Sequence, residues 1–165
     1  MNKCSWASGS DELMRDYHDN EFGRRKNSDN ALFEKLCLEC FQAGLSWRTV
    51  LYKREAFRRA FYGFDPSRVA RMTQDDIERL MLDSSIIRNR RKIDATIHNA
   101  RLHTVQFPDD GSFMAYVYGF TAGDSLCHDL KKRGYRFLGP TICDSFLGSV
   151  GAIEGHEPGC ALYKG

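Results

Sequence analysis

What the chain lacks narrows the field first. No apolar run in its 165 residues approaches the ~18 needed to cross a bilayer. The opening Met1-Asn2-Lys3-Cys4-Ser5-Trp6 is polar, so no signal peptide is expected. No pair of alternating segments joined by hairpin-turn residues stands out, and there is no repeat, low-complexity tract or long linker. Charge of one sign is scarce: 24 Lys and Arg face 22 Asp and Glu, a net of +2, too mild to indicate a nucleic-acid partner by itself. These absences predict a soluble, cytoplasmic, all-α protein forming one domain over residues 1–165. Its six cysteines (4, 37, 40, 127, 143 and 160) are then expected as thiols or metal ligands, not disulfides.

What is present is helical periodicity with legible caps. Leu32, Phe33, Leu36, Cys37, Cys40 and Phe41 follow 3.6-residue spacing behind Ser28 or Asp29 as N-cap. Trp47, Val50, Leu51, Phe57 and Phe61 continue as a second helix, capped by Ser46 and stopped at Gly63. Asp65-Pro66 reads as N-cap followed by proline at the first helical position, and Thr73-Gln74-Asp75-Asp76 as a capping box ahead of Ile77, Leu80 and Met81. Ile93, Ile97 and Ala100 mark another helix, and Phe113, Tyr116, Val117 and Phe120 one more. Near the end, Leu126–Arg133 is a short helix ended by Gly134, and Thr141–Val150 follows Gly139-Pro140. That layout over residues 126–150 suits a helix-hairpin-helix, in which glycine and free N–H groups at the second helix's start approach a phosphate. It is equally an ordinary αα-hairpin.

Several residues carry chemistry or imitate it. Two basic runs, Arg88-Asn89-Arg90-Arg91-Lys92 and Lys131-Lys132-Arg133-Gly134-Tyr135-Arg136, flank interhelical turns and suggest a phosphate-binding surface rather than two solvated helix faces. Cys4 and His18 near the start, with His156 and Cys160 near the finish, make a Cys₂His₂ set of the kind that closes a tetrahedral zinc site. From spacing alone, isolated cysteines and histidines are more often core or surface residues. Cys37-x-x-Cys40 looks like a redox half-motif, but both thiols fall within an apolar helical arc and read as small buried side chains. Glu39, at the edge of that arc, is either a salt-bridged boundary residue or a placed functional group.

The block Tyr17-His18-Asp19-Asn20-Glu21-Phe22-Gly23, the block Gln42-Ala43-Gly44-Leu45-Ser46-Trp47 and the two ligand pairs together resemble the type I 3-methyladenine DNA glycosylases, base-excision enzymes of the helix-hairpin-helix superfamily. The resemblance runs from Cys4 to about Cys160. It implies one structural zinc held by Cys4, His18, His156 and Cys160, joining the termini with no open position for water. It implies that Glu39 contacts the damaged base; Tyr17, Phe22 and Trp47, which lie in the two blocks, are expected as walls of the slot for a flipped base. Gly44-Leu45, a glycine and an apolar residue at a helix start, suits entry into the space the nucleotide vacates and equally a tight interhelical turn. From the hairpin layout and its flanking basic residues, contacts to DNA are expected from Lys132, Arg136, Gly139 and Thr141. The implied activity is hydrolysis of the N-glycosidic bond of 3-methyladenine, with 3-methylguanine as a further substrate, in double-stranded DNA by a monomer. Leu138–Phe146 holds no lysine, so no Schiff-base lyase step and no redox or nucleotide cofactor are expected.

Four departures stand against the family pattern. Phe22 replaces a usual Trp. Ser84-Ser85 replaces Ala-Gly, and Glu154-Gly155 replaces Asn-Asp. The Gly119–Ser125 connection is short and lacks a Ser/Thr-rich stretch. The missing glycine at 85 and missing carboxylate at 155 would suit a non-catalytic, zinc-stapled DNA-binding relative. A more distant rival is a thiol-redox protein using Cys37 and Cys40.

Overall fold

One helix organises the molecule. In the computed structural model, which describes residues 1–165, α2 (Asp29–Gln42) buries nine of its 14 residues, so it has core on nearly every side. Phe33, Cys37, Leu38 and Phe41 pack into one cluster, while Leu32, Leu36 and Cys40 pack into another. The first is completed by α3 (Trp47–Tyr52), α4 (Arg54–Ala60), α5 (Pro66–Ala70), α6 (Gln74–Leu80) and α7 (Arg90–Gln106). The second is completed by α8 (Ser112–Val117), α9 (Gly123–Lys132) and α10 (Pro140–Ser149). The first is rich in rings: Phe41, Phe57, Phe61 and Phe64 are fully buried, each worth about 1.5–3 kcal/mol of transfer free energy. With α1 (Glu12–Asn20) and two short 3₁₀ turns, the structure is all helical and has no strand. No helix is long and apolar enough to cross a membrane.

Four helices start on the expected caps. Ser28, not Asp29, caps α2, accepting from Ala31 N at 3.1 Å. Asp29 instead reaches across to α8, accepting from the backbone of Gly111 and Met114 at 2.9 Å each. Ser46 caps α3, Asp65 caps α5 with Pro66 behind it, and the Thr73–Asp76 capping box opens α6. The expected continuous helix from Trp47 to Phe61 is broken at Lys53 into α3 and α4. Both pieces keep their apolar residues toward the same core, so the spacing conceals the break. α1 has no counterpart among the expected helices; Asp11 caps it and Met14, Tyr17 and His18 are its buried face.

The α9–turn–α10 hairpin lies where the sequence places it, with α9 starting three residues earlier than expected. It is riveted to α7. Asn99 Nδ2 donates to Arg136 O at 3.0 Å, and Arg136 N donates to Asn99 Oδ1 at 2.8 Å. His98 Nε2 lies 2.8 Å from Gly134 O. The turn backbone is therefore set by two side chains of a neighbouring helix, while Tyr135 and Leu138 anchor it in the core.

Candidate active site

Between α1, α2, α3 and the start of the C-terminal tail lies a cleft of about 690 Å³. Tyr17, Phe22, Glu39 and Trp47 all line it, so the four residues expected around a base converge. The rings form a connected wall. Tyr17 and Trp47 have centroids 5.2 Å apart, and Tyr17 and Phe22 are 6.0 Å apart. Trp6, which no motif singles out, meets Phe22 edge-on at 5.0 Å and lines the same cleft, restoring an indole beside the phenylalanine. Trp47 Nε1 is buried with no acceptor in the protein. Such an orphan donor in a native site is usually there to be used.

The floor of the cleft is the side of α2 that carries Lys35 and Glu39. Four residues apart, they stack on one face and pair at 2.9 Å, with side chains 7% and 6% exposed. Lys35 is the charged cleft residue that sequence reasoning misses; its signal is this spacing within an otherwise apolar helix. Its Nζ also lies 3.3 Å from the Trp47 ring centroid and 5.2 Å from that of Tyr17. Burial pushes the Lys35 ammonium below the usual lysine range, and the Glu39 carboxylate opposes that push. Burial also drives the Tyr17 hydroxyl well above its ordinary value, keeping it un-ionised. Behind them, Glu21 pairs with Arg54 at 2.7 Å and Lys26 at 3.4 Å.

Gln42 and Ser46 line the cleft, so the Gly44-Leu45 turn between them stands at its rim. Leu45 is 43% exposed, and Gly44 has φ +79° with open space beside it. The turn is held from below by Lys92, whose Nζ donates to Phe41 O at 2.9 Å and Ala43 O at 2.6 Å. Lys92 is thus withdrawn from the basic run to which it seemed to belong, and Arg90 is paired with Glu78 at 2.7 Å. Arg91 faces the Phe137 ring at 5.8 Å, which brings the two basic runs together. In the second run Arg133 is held by Asp129 at 2.7 Å, whereas Lys132 and Arg136 are exposed and unpaired. Thr141 is exposed and Gly139 half-buried at the start of α10.

The four Cys/His residues also converge. Their donor atoms lie within 4.8 Å of one another and all four are buried. Cys4 Sγ is 3.5 Å from His156 Nδ1, and Cys160 Sγ is 3.4 Å from His18 Nε2 and 3.7 Å from His156 Nδ1. Backbone N–H groups of Glu157 and Leu162 donate to the two sulfurs at 3.3 and 3.4 Å. Asp19 Oδ1 takes the outer nitrogen of His18 at 2.8 Å and is itself bound by Lys3, which fixes the ring's orientation. Gly23 is required here: a Cβ would stand 2.8 Å from His156 Nε2. Phe22 joins cluster to cleft, its ring 5.0 Å from that of His156.

The departures at positions 85 and 155 have local explanations. Position 85 is not among the residues with positive φ, so glycine is unnecessary; Asp83 holds the turn, accepting from Ser85 N at 2.9 Å. Gly155 is packed against Gly148, and a Cβ on residue 155 would lie 2.6 Å from Gly148 O. Glu154 supplies a carboxylate near the cluster instead, accepting from the backbone of His156 and Lys164 at 2.7 Å each. Cys37 and Cys40 are buried, belong to different cores and have thiols raised by burial, the opposite of a reactive redox pair.

A helical chain with an aromatic, carboxylate-floored cleft beside a Cys/His cluster shares its architecture with solved DNA glycosylases. A crystal structure of 3-methyladenine DNA glycosylase I superposes with a TM-score of 0.89 at 40% identity, covering 98% of this chain and all of that one. The Staphylococcus aureus 3-methyladenine DNA glycosylase I, solved for the basis of its 3-methyladenine recognition, superposes at 0.86 with 32% identity, covering 100% and 98%. DNA-3-methyladenine glycosylase 1 of Escherichia coli (strain K12) is 42% identical, over 100% of this chain and 98% of that protein. The family model described as methyladenine glycosylase matches residues 6–128 and 121–163: the chain belongs to that family.

Proposed function

We propose that this protein is a monofunctional DNA-3-methyladenine glycosylase, hydrolysing the N-glycosidic bond of N3-alkylated purines in double-stranded DNA. The observation that carries this reading is the convergence of Glu39, Tyr17, Phe22 and Trp47 in one cleft, with Gly44-Leu45 at its rim. It accords with relatives named for that activity and with a solved relative in complex with 3-methyladenine.

Alkylation at N3 makes the purine cationic, and the base departs neutral, so its bond to the sugar is already weak. The protein's work is to extract, hold and orient the nucleotide. Leu45 fills the gap left in the duplex, while the α10 N-terminus at Gly139 and Thr141, with Lys132 and Arg136, takes the backbone phosphates. Tyr17, Phe22 and Trp47 stack on the base. Glu39 accepts a hydrogen bond from its exocyclic amine, an interaction strengthened by the lesion's positive charge. Water then adds at C1′.

The Cys/His cluster we assign to one zinc ion. Two thiols and two imidazoles, all buried and with donor atoms within 4.8 Å of one another, are a donor set that suits a closed zinc site, and three of their sulfur–nitrogen pairs stand 3.4, 3.5 and 3.7 Å apart. With four protein donors such an ion would be structural, joining Cys4 and His18 to His156 and Cys160. The whole of residues 1–165 then acts as one unit, which we take to work as a monomer.

The test is release of free 3-methyladenine from alkylated DNA. Wild type should release it and Glu39→Gln should release it far more slowly. DNA binding without any base release by wild type would instead make the protein a non-catalytic relative.

A further inference from the structure

Excision chemistry does not by itself ask for a lysine in the base slot. Lys35 nevertheless sits there, one helical turn before Glu39, its Nζ 2.9 Å from Glu39 Oε1 and 3.3 Å from the Trp47 ring centroid. A base stacked on an indole lies in a layer ~3.5–4 Å from it. The ammonium occupies that same layer, so it and a base exclude each other from this face of Trp47. The chain's own cation thus covers one face of the indole, beside the carboxylate that a cationic purine would approach.

Charge balance then orders the cycle. When Lys35 swings away on its flexible stem, Glu39 is left buried without its partner, which is costly unless another cation replaces it. A purine alkylated at N3 and still attached to its sugar is such a cation. The same base after cleavage is neutral and is not. The other charged groups that act on Lys35 are Glu21 and Arg54. They are already paired to each other, so Glu39 remains the carboxylate to which Lys35 returns.

We propose that Lys35 is a specificity and product-release residue: it yields the seat between Trp47 and Glu39 to a positively charged flipped base and retakes it from the neutral base after cleavage. The proposal rests on the glycosylase reading above. Lys35 itself makes and breaks no covalent bond.

Free 3-methyladenine should be titrated calorimetrically into wild type, Lys35→Met and Lys35→Arg, with base release from alkylated DNA measured in parallel with and without added free base. Lys35→Met should bind the free base at least tenfold more tightly, about 1.4 kcal/mol. Its turnover should be inhibited by correspondingly less of that base. Lys35→Arg, which keeps a resident cation, should stay near wild type. A Lys35→Met protein with native circular dichroism that binds the base no more tightly overturns the proposal; Lys35→Gln is judged by the same criterion if the methionine variant does not fold. Release by wild type with unchanged affinity in the variants refutes this inference alone, whereas no release by wild type removes the glycosylase reading and this inference with it.

Discussion

Replacing Glu39 with glutamine tests the floor of the cleft, because the change removes a charge and almost no volume. The glutamine oxygen can still accept from Lys35, so the hydrogen bond survives while the ion pair does not. Removing one member of a buried pair outright costs about 3–5 kcal/mol. Keeping the hydrogen bond lowers that to about 2–3 kcal/mol. For a chain of this size the loss amounts to a melting point roughly 5–10 °C lower. The deficit should also depend on pH in one direction. Burial already depresses the Lys35 ammonium and Glu39 opposes it, so in the variant the folded protein sheds that proton more readily than wild type does. The unfolded chain keeps it up to about pH 10.4. The folded variant then binds fewer protons than its unfolded state, and its stability relative to wild type rises with pH at up to about 1.4 kcal/mol per unit. Thermal melts by circular dichroism at several pH values from neutrality upward, beside the base-release assay, give both readouts. A melting point equal to that of wild type at pH 7 would refute the buried ion pair. Full base release would return Glu39 to a merely structural role.

Three further outcomes follow from geometry already described. Cys160→Ala should lose the one equivalent of zinc found in wild type by metal analysis; retained zinc would mean that the ligands are others. Lys132→Ala with Arg136→Ala should weaken binding to all DNA sequences alike and reduce the slope of log affinity against log salt by about 1.8, at ~0.9 for each phosphate no longer neutralised. An unchanged slope places these cations off the DNA face. Gly155→Ala puts a methyl group 2.6 Å from Gly148 O and should destabilise the fold by about 1–3 kcal/mol, read as a lower melting point; no shift would show that the tail can move aside.

The helical class, the caps at Ser28, Ser46, Asp65 and Thr73, and the hairpin near the C-terminus are legible in the sequence because each depends on near neighbours in the chain. The break at Lys53 is not, since α3 and α4 bury their apolar residues in continuous register. α1 is hidden because Met14, Tyr17 and His18, its buried stripe, read as a chemical block before they read as a helix. The candidate site is legible where a motif names a residue and illegible where burial alone decides. Lys35 and Lys92 are the clear cases. A lysine in sequence reads as solvated, yet one lies against a carboxylate and an indole, and the other against two carbonyl groups of a turn. Ser85 and Gly155 show the converse: each looks like a loss against the family pattern, and each fits its local backbone.

The clasp between Cys4, His18, His156 and Cys160 reaches one of the three expected cleft walls and not the other two. Asn2 O accepts from Ala161 N at 2.9 Å, and Phe22, a wall of the cleft, rests on His156. Tyr17 is held independently of the clasp, packed with Met14 and Leu51 and lying 5.2 Å from Trp47. Of Tyr17, Phe22 and Trp47, Phe22 alone leans on the clasp. Loosening it, by chelation or by loss of one ligand, should therefore disturb the cleft first at Phe22 and leave the two large cores standing.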